Sequence, residues 1–323
     1  MVKYPGNWIS TKSLEEMANT TYDVLIIGTG HGGGTVLSRL CELWRNNGAK
    51  KIGILERGDK LFHSHSLNIP TMNINTASNQ LLEDNSTSFK DRLPEFSGAR
   101  MVYALGGRSL FWNCTVPRPI ESELRKWPIN YRELEAYYSM AEKSLNASIS
   151  YSKGSSMQNL LLRKLYSKGI LEARDLPLAF DMEASRKGQI HSNPWYSSID
   201  SSTKDEFGMP LIQVNYSLSD RDYEVVNQMS RGIVEAANAM GIALNPATVA
   251  LRPPGSSMHE SCTCRIGTNP ETSAANPHGQ IHGIEGLFVA DSSALPSLSA
   301  SGPTISNIAL SMRVADYIYL KET

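Results

Sequence analysis

Gly28-Thr29-Gly30-His31-Gly32-Gly33 sets three glycines at G-x-G-x-x-G spacing, and Glu56 follows Gly33 by 23 residues. In such a loop Gly28 permits a tight turn out of a strand and Gly30 lets backbone approach a pyrophosphate. Gly33 lets the next helix pack on the strand, and the helix N-terminus then faces the phosphates. A carboxylate at the end of the second strand, Glu56, can accept both ribose hydroxyls of an adenosine and repels a 2′-phosphate. The motif alone leaves FAD and NAD open. His259, in Met258-His259-Glu260-Ser261-Cys262-Thr263-Cys264, is a candidate base, since a neutral imidazole near pH 7 can take the proton of a hydroxyl. Asp291 ends the apolar run 286–291 and Ser292 follows it, at the strand end where open α/β sheets bind ligands. Cys262-x-Cys264 beside His259 invites a metal reading. Without a second cysteine pair the spacing lacks four structural ligands, so no metal is expected, and the two thiols read as small buried groups.

These residues need elements to hold them. Residues 23–27 (DVLII) form an apolar run of the kind buried on both faces of a sheet. Val36, Leu37, Leu40, Leu43 and Trp44 then recur at helical spacing, and Ile52, Ile54 and Leu55 form a second strand ending at Glu56. This is a βαβ unit, which implies a doubly wound parallel sheet. Residues 59–100 read as a long surface excursion, and Gly106-Gly107 as a tight turn. Helices are expected over 131–145, near 160–171, over 220–240 with Gly241 as a stop, and over 305–320 after Pro303. Pro303 suits a first helical turn and leaves the amides of Thr304 and Ile305 to face negative charge. His31 is expected to face solvent within its loop.

The chain has 323 residues, 41% of them apolar, which suffices for a sizeable core and two domains. Thirty-one basic residues balance 32 acidic ones, so nothing offers a basic surface and nucleic acid is an improbable partner. No apolar run approaches the roughly 18 residues of a membrane span. The first twenty residues have no signal-like apolar stretch, and four cysteines are too few for a disulfide scaffold. A cytoplasmic protein with a small-molecule substrate is expected.

ALGGRSLFWNCTVP (residues 104–117), KWPINYRELEAYYSMAEKSL (126–145) and HGIEGLFVADSSALPSLSASGPTISNIALSMRVADYI (282–318), together with the fingerprint, resemble the glucose-methanol-choline (GMC) oxidoreductases. Within that family the likeness is nearest to the pyranose oxidases, and it covers roughly residues 20–145 and 205–320. The resemblance implies an α/β fold with a Rossmann-like FAD-binding domain, discontinuous over 1–125 and 255–323. An abbreviated α+β substrate domain would span 126–254. It implies FAD as cofactor, with Gly106, Gly107 and Ser109 near the isoalloxazine, Asp291 and Ser292 near the ribityl chain, and His259 as base for hydroxyl oxidation by hydride transfer to flavin N5. The substrate would be a sugar, a polyol or a natural-product alcohol.

Three departures from the family pattern stand out. Phe111 occupies the place of a flavin-linking histidine, so FAD is expected to be non-covalent. Gly302, 43 residues after His259, stands where the family has His or Asn, with Ser301 as a substitute hydroxyl. The chain is also short between about 147 and 205, which implies an open pocket or one closed by a second subunit. Gly302 therefore keeps a second reading alongside alcohol oxidation: dehydrogenation, cyclisation or a redox-neutral rearrangement on the same fold. A non-catalytic relative is disfavoured, because a scaffold has no need of Glu56 and the C-terminal segment.

Overall fold

The computed structural model describes residues 11–46, 50–61, 66, 82–88, 97–179, 218–257 and 259–322. Most of the excursion expected over 59–100, and part of the stretch 147–205, lie outside them. After a short helix α1 (Leu14–Ala18), closed by a Ser13/Glu16 capping box, comes the βαβ unit. Strand β1 (Val24–Ile27) leads into helix α2 (His31–Trp44), which returns to strand β2 (Ile52–Leu55). The strands pair in parallel with Val24 opposite Ile52 and Ile27 opposite Leu55. Among the described residues the parallel sheet consists of these two strands. A short helix α3 (Leu82–Asp84) and strands β3 (Thr87–Ser88) and β4 (Arg100–Met101) follow, β3 and β4 pairing antiparallel. A 3-10 turn (Gly107–Leu110), α4 (Glu121–Leu124), α5 (Tyr131–Ser144), α6 (Ser156–Ser167), α7 (Asp220–Met240) and α8 (Thr304–Glu322) complete the order.

Helix α8 is the centre of the structure. Ile305 through Ala315 are all buried, as expected of a helix whose apolar residues surround its axis. On one side Val314, Ala315 and Ile318 meet Val36, Leu40 and Trp44 of α2 and Ile26 of β1. On the other, Ile305, Ile308, Ala309 and Met312 share a core with Leu134, Tyr138 and Ala141 of α5. This core crosses the boundary expected at residue 125, because α5 docks directly on the C-terminal helix.

Two expectations are corrected. Residues 23–27 are not buried on both faces: Ile26 is buried, whereas Leu25 is 50% and Ile27 81% exposed. Helices α2 and α8 cover one face of the sheet, and no described element covers the other. Residues 286–291 do not form a buried strand either. They make one isolated bridge, Gln280 to Phe288, and Leu287 is 48% exposed. The segment is held by loop bonds such as Val289 N–H to Gly279 O at 2.8 Å rather than by a strand ladder. Helix α6 starts at Ser156, ahead of the expected 160, because Ser155 caps it. Helix α7 ends as expected at Gly241, which takes a left-handed conformation with φ 81°. Neither α6 nor α7 buries much: Ala237 is the only residue of the pair classed as buried.

Charged groups clamp α8 in place. Arg39 of α2 binds Asp316 through Nε at 2.6 Å and Nη2 at 3.2 Å, and the Tyr137 hydroxyl of α5 donates to Asp316 Oδ2 at 3.0 Å. Burial, then the Asp316 charge, pushes the Tyr137 phenol well above its usual value. Arg313 donates to Glu133 at 2.5 Å and to the Pro277 carbonyl. Removing Asp316 strands a forked guanidinium and a tyrosine hydroxyl that are both largely shielded from water. Asp316→Ala is expected to cost about 2–3 kcal/mol in urea unfolding at unchanged m. Glu42→Ala, which breaks only an exposed pair with Arg39, is expected to cost under about 0.5 kcal/mol. Equal costs would show that Asp316 does not clamp the helices.

Candidate active site

Where β1 ends, Gly28 turns the chain with φ 89°, and its N–H donates to the Leu55 carbonyl of β2 at 2.7 Å. Gly30 then caps α2 without a side-chain bond. The glycines of the loop are required for different reasons. A Cβ on Gly33 would lie 2.0 Å from the Gly28 carbonyl oxygen, and one on Gly32 2.0 Å from that of Ala290, so both are required by packing. A Cβ on Gly30 would meet nothing within 4 Å. Open space thus lies against Gly30, at the N-terminus of a 14-residue helix. That is the cradle a pyrophosphate needs. A Cβ on Gly107 would stand 3.9 Å from the Gly30 Cα, so the Gly106-Gly107 turn borders the same space.

Thr29, at a position whose type the G-x-G-x-x-G spacing does not specify, ties these segments together. It is 1% exposed. Its N–H donates to Glu56 Oε2 at 3.0 Å, and its hydroxyl donates to the same oxygen while accepting the Gly106 N–H at 2.8 Å. Glu56 Oε1 accepts the Gly58 N–H at 2.8 Å. A carboxylate has about four acceptor positions, so the expected pair of ribose hydroxyls finds one of them open beside these bonds. In the next turn the Ser109 hydroxyl donates to the Gly106 carbonyl at 2.6 Å, which holds the left-handed Gly106 and Gly107 in place.

His259 sits in a segment laid beside residues 292–294. Cys262, Cys264 and Ile266 N–H groups donate to the carbonyls of Ser292, Ser293 and Ala294 at 3.1, 2.9 and 3.0 Å. Asp291 accepts from the Ser293 N–H at 2.8 Å and caps that turn. The backbone of Ala290 and Asp291 abuts Gly32, which brings this segment against the phosphate loop. A Cβ on Gly302 would stand 3.4 Å from His259 Cε1 and 3.5 Å from Nε2. The spacing of 43 residues therefore brings Gly302 to the imidazole, where it presents no side chain. The loop carrying Gly302 is held by α4 and the residues after it. Glu123 accepts the Ala300 N–H at 2.7 Å, and the Trp127 indole donates to Ser297 at 3.0 Å. The Ser301 hydroxyl is paired with that of Ser299 at 2.6 Å. Arg108 forms an ion pair with Glu260. Partial burial lowers the pKa of His259 below the usual 6.5; Glu260 opposes this and Arg108 adds to it. The ring is therefore neutral at pH 7.

The remaining candidates fall into place around this site. The Pro303 carbonyl accepts the Asn307 N–H at 2.8 Å, so the amides of Thr304 and Ile305 precede the first intrahelical bond of α8, while the Ile305 side chain is buried in the core. Phe111 is buried among Leu82, Val102, Ala104 and Leu110. His31 does not simply face solvent: its ring meets Trp112 edge-on at 4.8 Å. Cys262 and Cys264 are half-buried rather than buried. Cys262 holds φ 69°, and burial raises its pKa. Among the described residues no group of three or more His, Cys, Asp or Glu could hold a metal, and no helix is long and apolar enough to cross a membrane.

Residues 196–311 match the GMC oxidoreductase family, whose members are FAD-binding flavoproteins. A C-glycoside 3-oxidase of Arthrobacter globiformis is 35% identical over 119 residues, 36% of this chain and 23% of that enzyme. A pyranose 2-oxidase of Tricholoma matsutake is 26% identical over 126 residues, 39% of this chain and 22% of that enzyme. The matched stretch thus spans under a quarter of either relative's length. In structure, pyridoxine 4-oxidase from Mesorbium loti aligns over 92% of this chain and 99% of that one with a TM-score of 0.53 at 10% identity, a likeness of fold. Over residues 196–311 the chain is similar in sequence to the GMC oxidoreductases, and in fold it is similar to pyridoxine 4-oxidase.

Proposed function

We propose that the chain binds FAD non-covalently and oxidises a hydroxyl group of a sugar, polyol or natural-product alcohol, with His259 as the base. The observation that carries this reading is the meeting of His259 and Gly302 next to a turn that borders the open space at Gly30. Bound FAD would supply the hydride acceptor for the carbon being oxidised. Glu56 would hold the adenosine ribose, Gly30 and the first turn of α2 the pyrophosphate, and Gly106, Gly107, Ser109, Asp291 and Ser292 the rest of the cofactor. Thr304 and Ile305 would present the N-terminus of α8 to negative charge on the flavin. His259, neutral at pH 7, takes the hydroxyl proton of the substrate. The names of the two relatives favour a sugar-like substrate. A doubly wound flavin domain over 1–125 and 255–323, a reduced substrate domain over 126–254, closure by a second subunit and residence in the cytoplasm belong to the same reading.

One observation favours a second reaction on the same site. With glycine at 302, the space beside the imidazole holds no helper side chain, which suits a bulkier substrate or an elimination or rearrangement. Asparagine there would fill that space with an amide that must find partners.

Three measurements test the proposal. Acid precipitation should release all flavin into the supernatant, and flavin left in the pellet would contradict non-covalent binding. Gly30→Ala should leave the unfolding free energy of the FAD-stripped chain in urea within about 1 kcal/mol of wild type yet lower FAD content, whereas retained FAD would show that the space at Gly30 is not the cofactor's. His259→Ala should slow anaerobic flavin reduction by about 10²–10⁴-fold with FAD content unchanged. In the wild type that rate should fall only as pH drops below 6.5, because the lowered pKa keeps the base deprotonated to lower pH. An unchanged rate in His259→Ala would remove the histidine from the reaction.

A further inference from the structure

We propose that Arg108 and Glu260 are positioning residues for His259: their ion pair fixes the histidine's segment against the turn that borders the phosphate loop. The proposal rests on His259 being the base.

Arg108 springs from a backbone that cannot shift far. Gly106 and Gly107 both hold positive φ, the Phe111 N–H donates to the Arg108 carbonyl at 3.1 Å, and Leu110 and Phe111 are buried beneath the turn. From there the guanidinium forks. Nη1 meets Glu260, and Nη2 donates to the Arg100 carbonyl of β4 at 3.2 Å. A lysine, a single point charge, would not span both partners as this planar fork does. Glu260 is held as firmly. One carboxylate oxygen takes the ion pair, and the other, Oε1, is buried with no hydrogen-bond partner among the described residues. The side chain as a whole is 30% exposed, so the arginine is the partner that holds the carboxylate on its inner side.

His259 needs such an anchor. Its backbone N–H reaches Ser257 Oγ at 3.3 Å, and its carbonyl accepts the Ser261 hydroxyl at 2.9 Å. Neither bond orients the ring, and no described residue hydrogen-bonds to a ring nitrogen. Gly302 limits the imidazole only by contact. The bonds from Cys262, Cys264 and Ile266 to residues 292–294 hold the segment further along, and fixing Glu260, the next residue in the chain, restricts the backbone from which the ring projects. The charges that act on the imidazole are the same pair. Arg108 comes from the turn and Glu260 from its own segment, while the loop before α8 offers Gly302, Ser299 and Ser301, none of them charged.

The test uses the full FAD-loaded chain and needs no substrate. In wild type, the His259 Hε1 proton should show a nuclear Overhauser contact to the Gly302 α protons, as the Cε1 distance requires. Glu260→Gln and Arg108→Gln should each halve or abolish that contact. Glu260→Gln should move the His259 titration down and Arg108→Gln should move it up, since the two charges act with opposite sign. The double variant should return the titration close to wild type without restoring the contact. Arg108→Lys keeps the charge and loses the fork, so it should weaken the contact and leave the titration in place. It serves if a neutral variant does not fold. Wild-type contact and wild-type titration in every folded variant would overturn the proposal. Failure of alcohols to reduce the flavin, with these signals behaving as expected, would instead overturn the reading of His259 as a base and leave the positioning intact.

Discussion

The Thr29 hydroxyl accepts the Gly106 N–H and donates to the Glu56 carboxylate, and through that one buried group three segments far apart in sequence become a single site. The phosphate loop contributes Thr29, β2 contributes Glu56, and the turn before Arg108 contributes Gly106. Thr29 and Gly106 are buried while Glu56 is half-buried, so the Thr29 hydroxyl and the Gly106 N–H cannot turn to water if the other is lost. A buried donor or acceptor left unmade costs roughly 1–3 kcal/mol, which couples the phosphate loop to the Gly106 turn. The rest of the candidate site hangs from this knot. The Gly107–Leu110 turn carries Arg108, Arg108 holds Glu260, and Glu260 is the neighbour of His259 in the chain.

Helix α8 supplies the other fixed reference. Its side chains fill the space between α2 and α5, and its Ser311 hydroxyl donates to the Ala290 carbonyl at 2.8 Å. That same carbonyl lies against Gly32 at the start of α2. One helix thus seats the segment before Asp291 from below while the phosphate loop meets it from the side. The loop bearing Gly302 runs directly into α8, and Glu123 and Trp127 pin it from α4 and the turn after it. The position of Gly302 at the imidazole is therefore set by packed elements on both flanks.

Much of this was legible in the sequence because strong local physics marks it. Glycines that must admit close backbone contact, the period of Val36, Leu40 and Trp44, and the stop at Gly241 all act within a few residues. Spacing also pointed from His259 to Gly302, although the reason for that pairing came from family likeness rather than from the residues themselves. What was missed is long-range. Thr29 occupies a position that the fingerprint leaves free, and its importance arises only when Gly106, 77 residues away, arrives. Arg108 and Glu260 lie 152 residues apart, and neither has a local pattern that marks it. The misreadings of residues 23–27 and 286–291 share one cause. Hydrophobicity reports a preference for burial and does not say whether a covering element exists, so Leu25, Ile27 and Leu287 are open despite their type.

The account stands on the claim that the Thr29 knot shapes a flavin site, and the direct test is FAD affinity, read from quenching of flavin fluorescence on titration of the FAD-stripped chain. Wild type should bind one FAD per chain. Thr29→Ser, which keeps the hydroxyl, should bind within about threefold of it, under 1 kcal/mol. Thr29→Val, nearly the same in shape but without donor or acceptor, should bind roughly 10–100-fold more weakly, with its helix content unchanged. Equal affinity in Thr29→Val and wild type, or no flavin binding by the wild-type chain, would contradict the account.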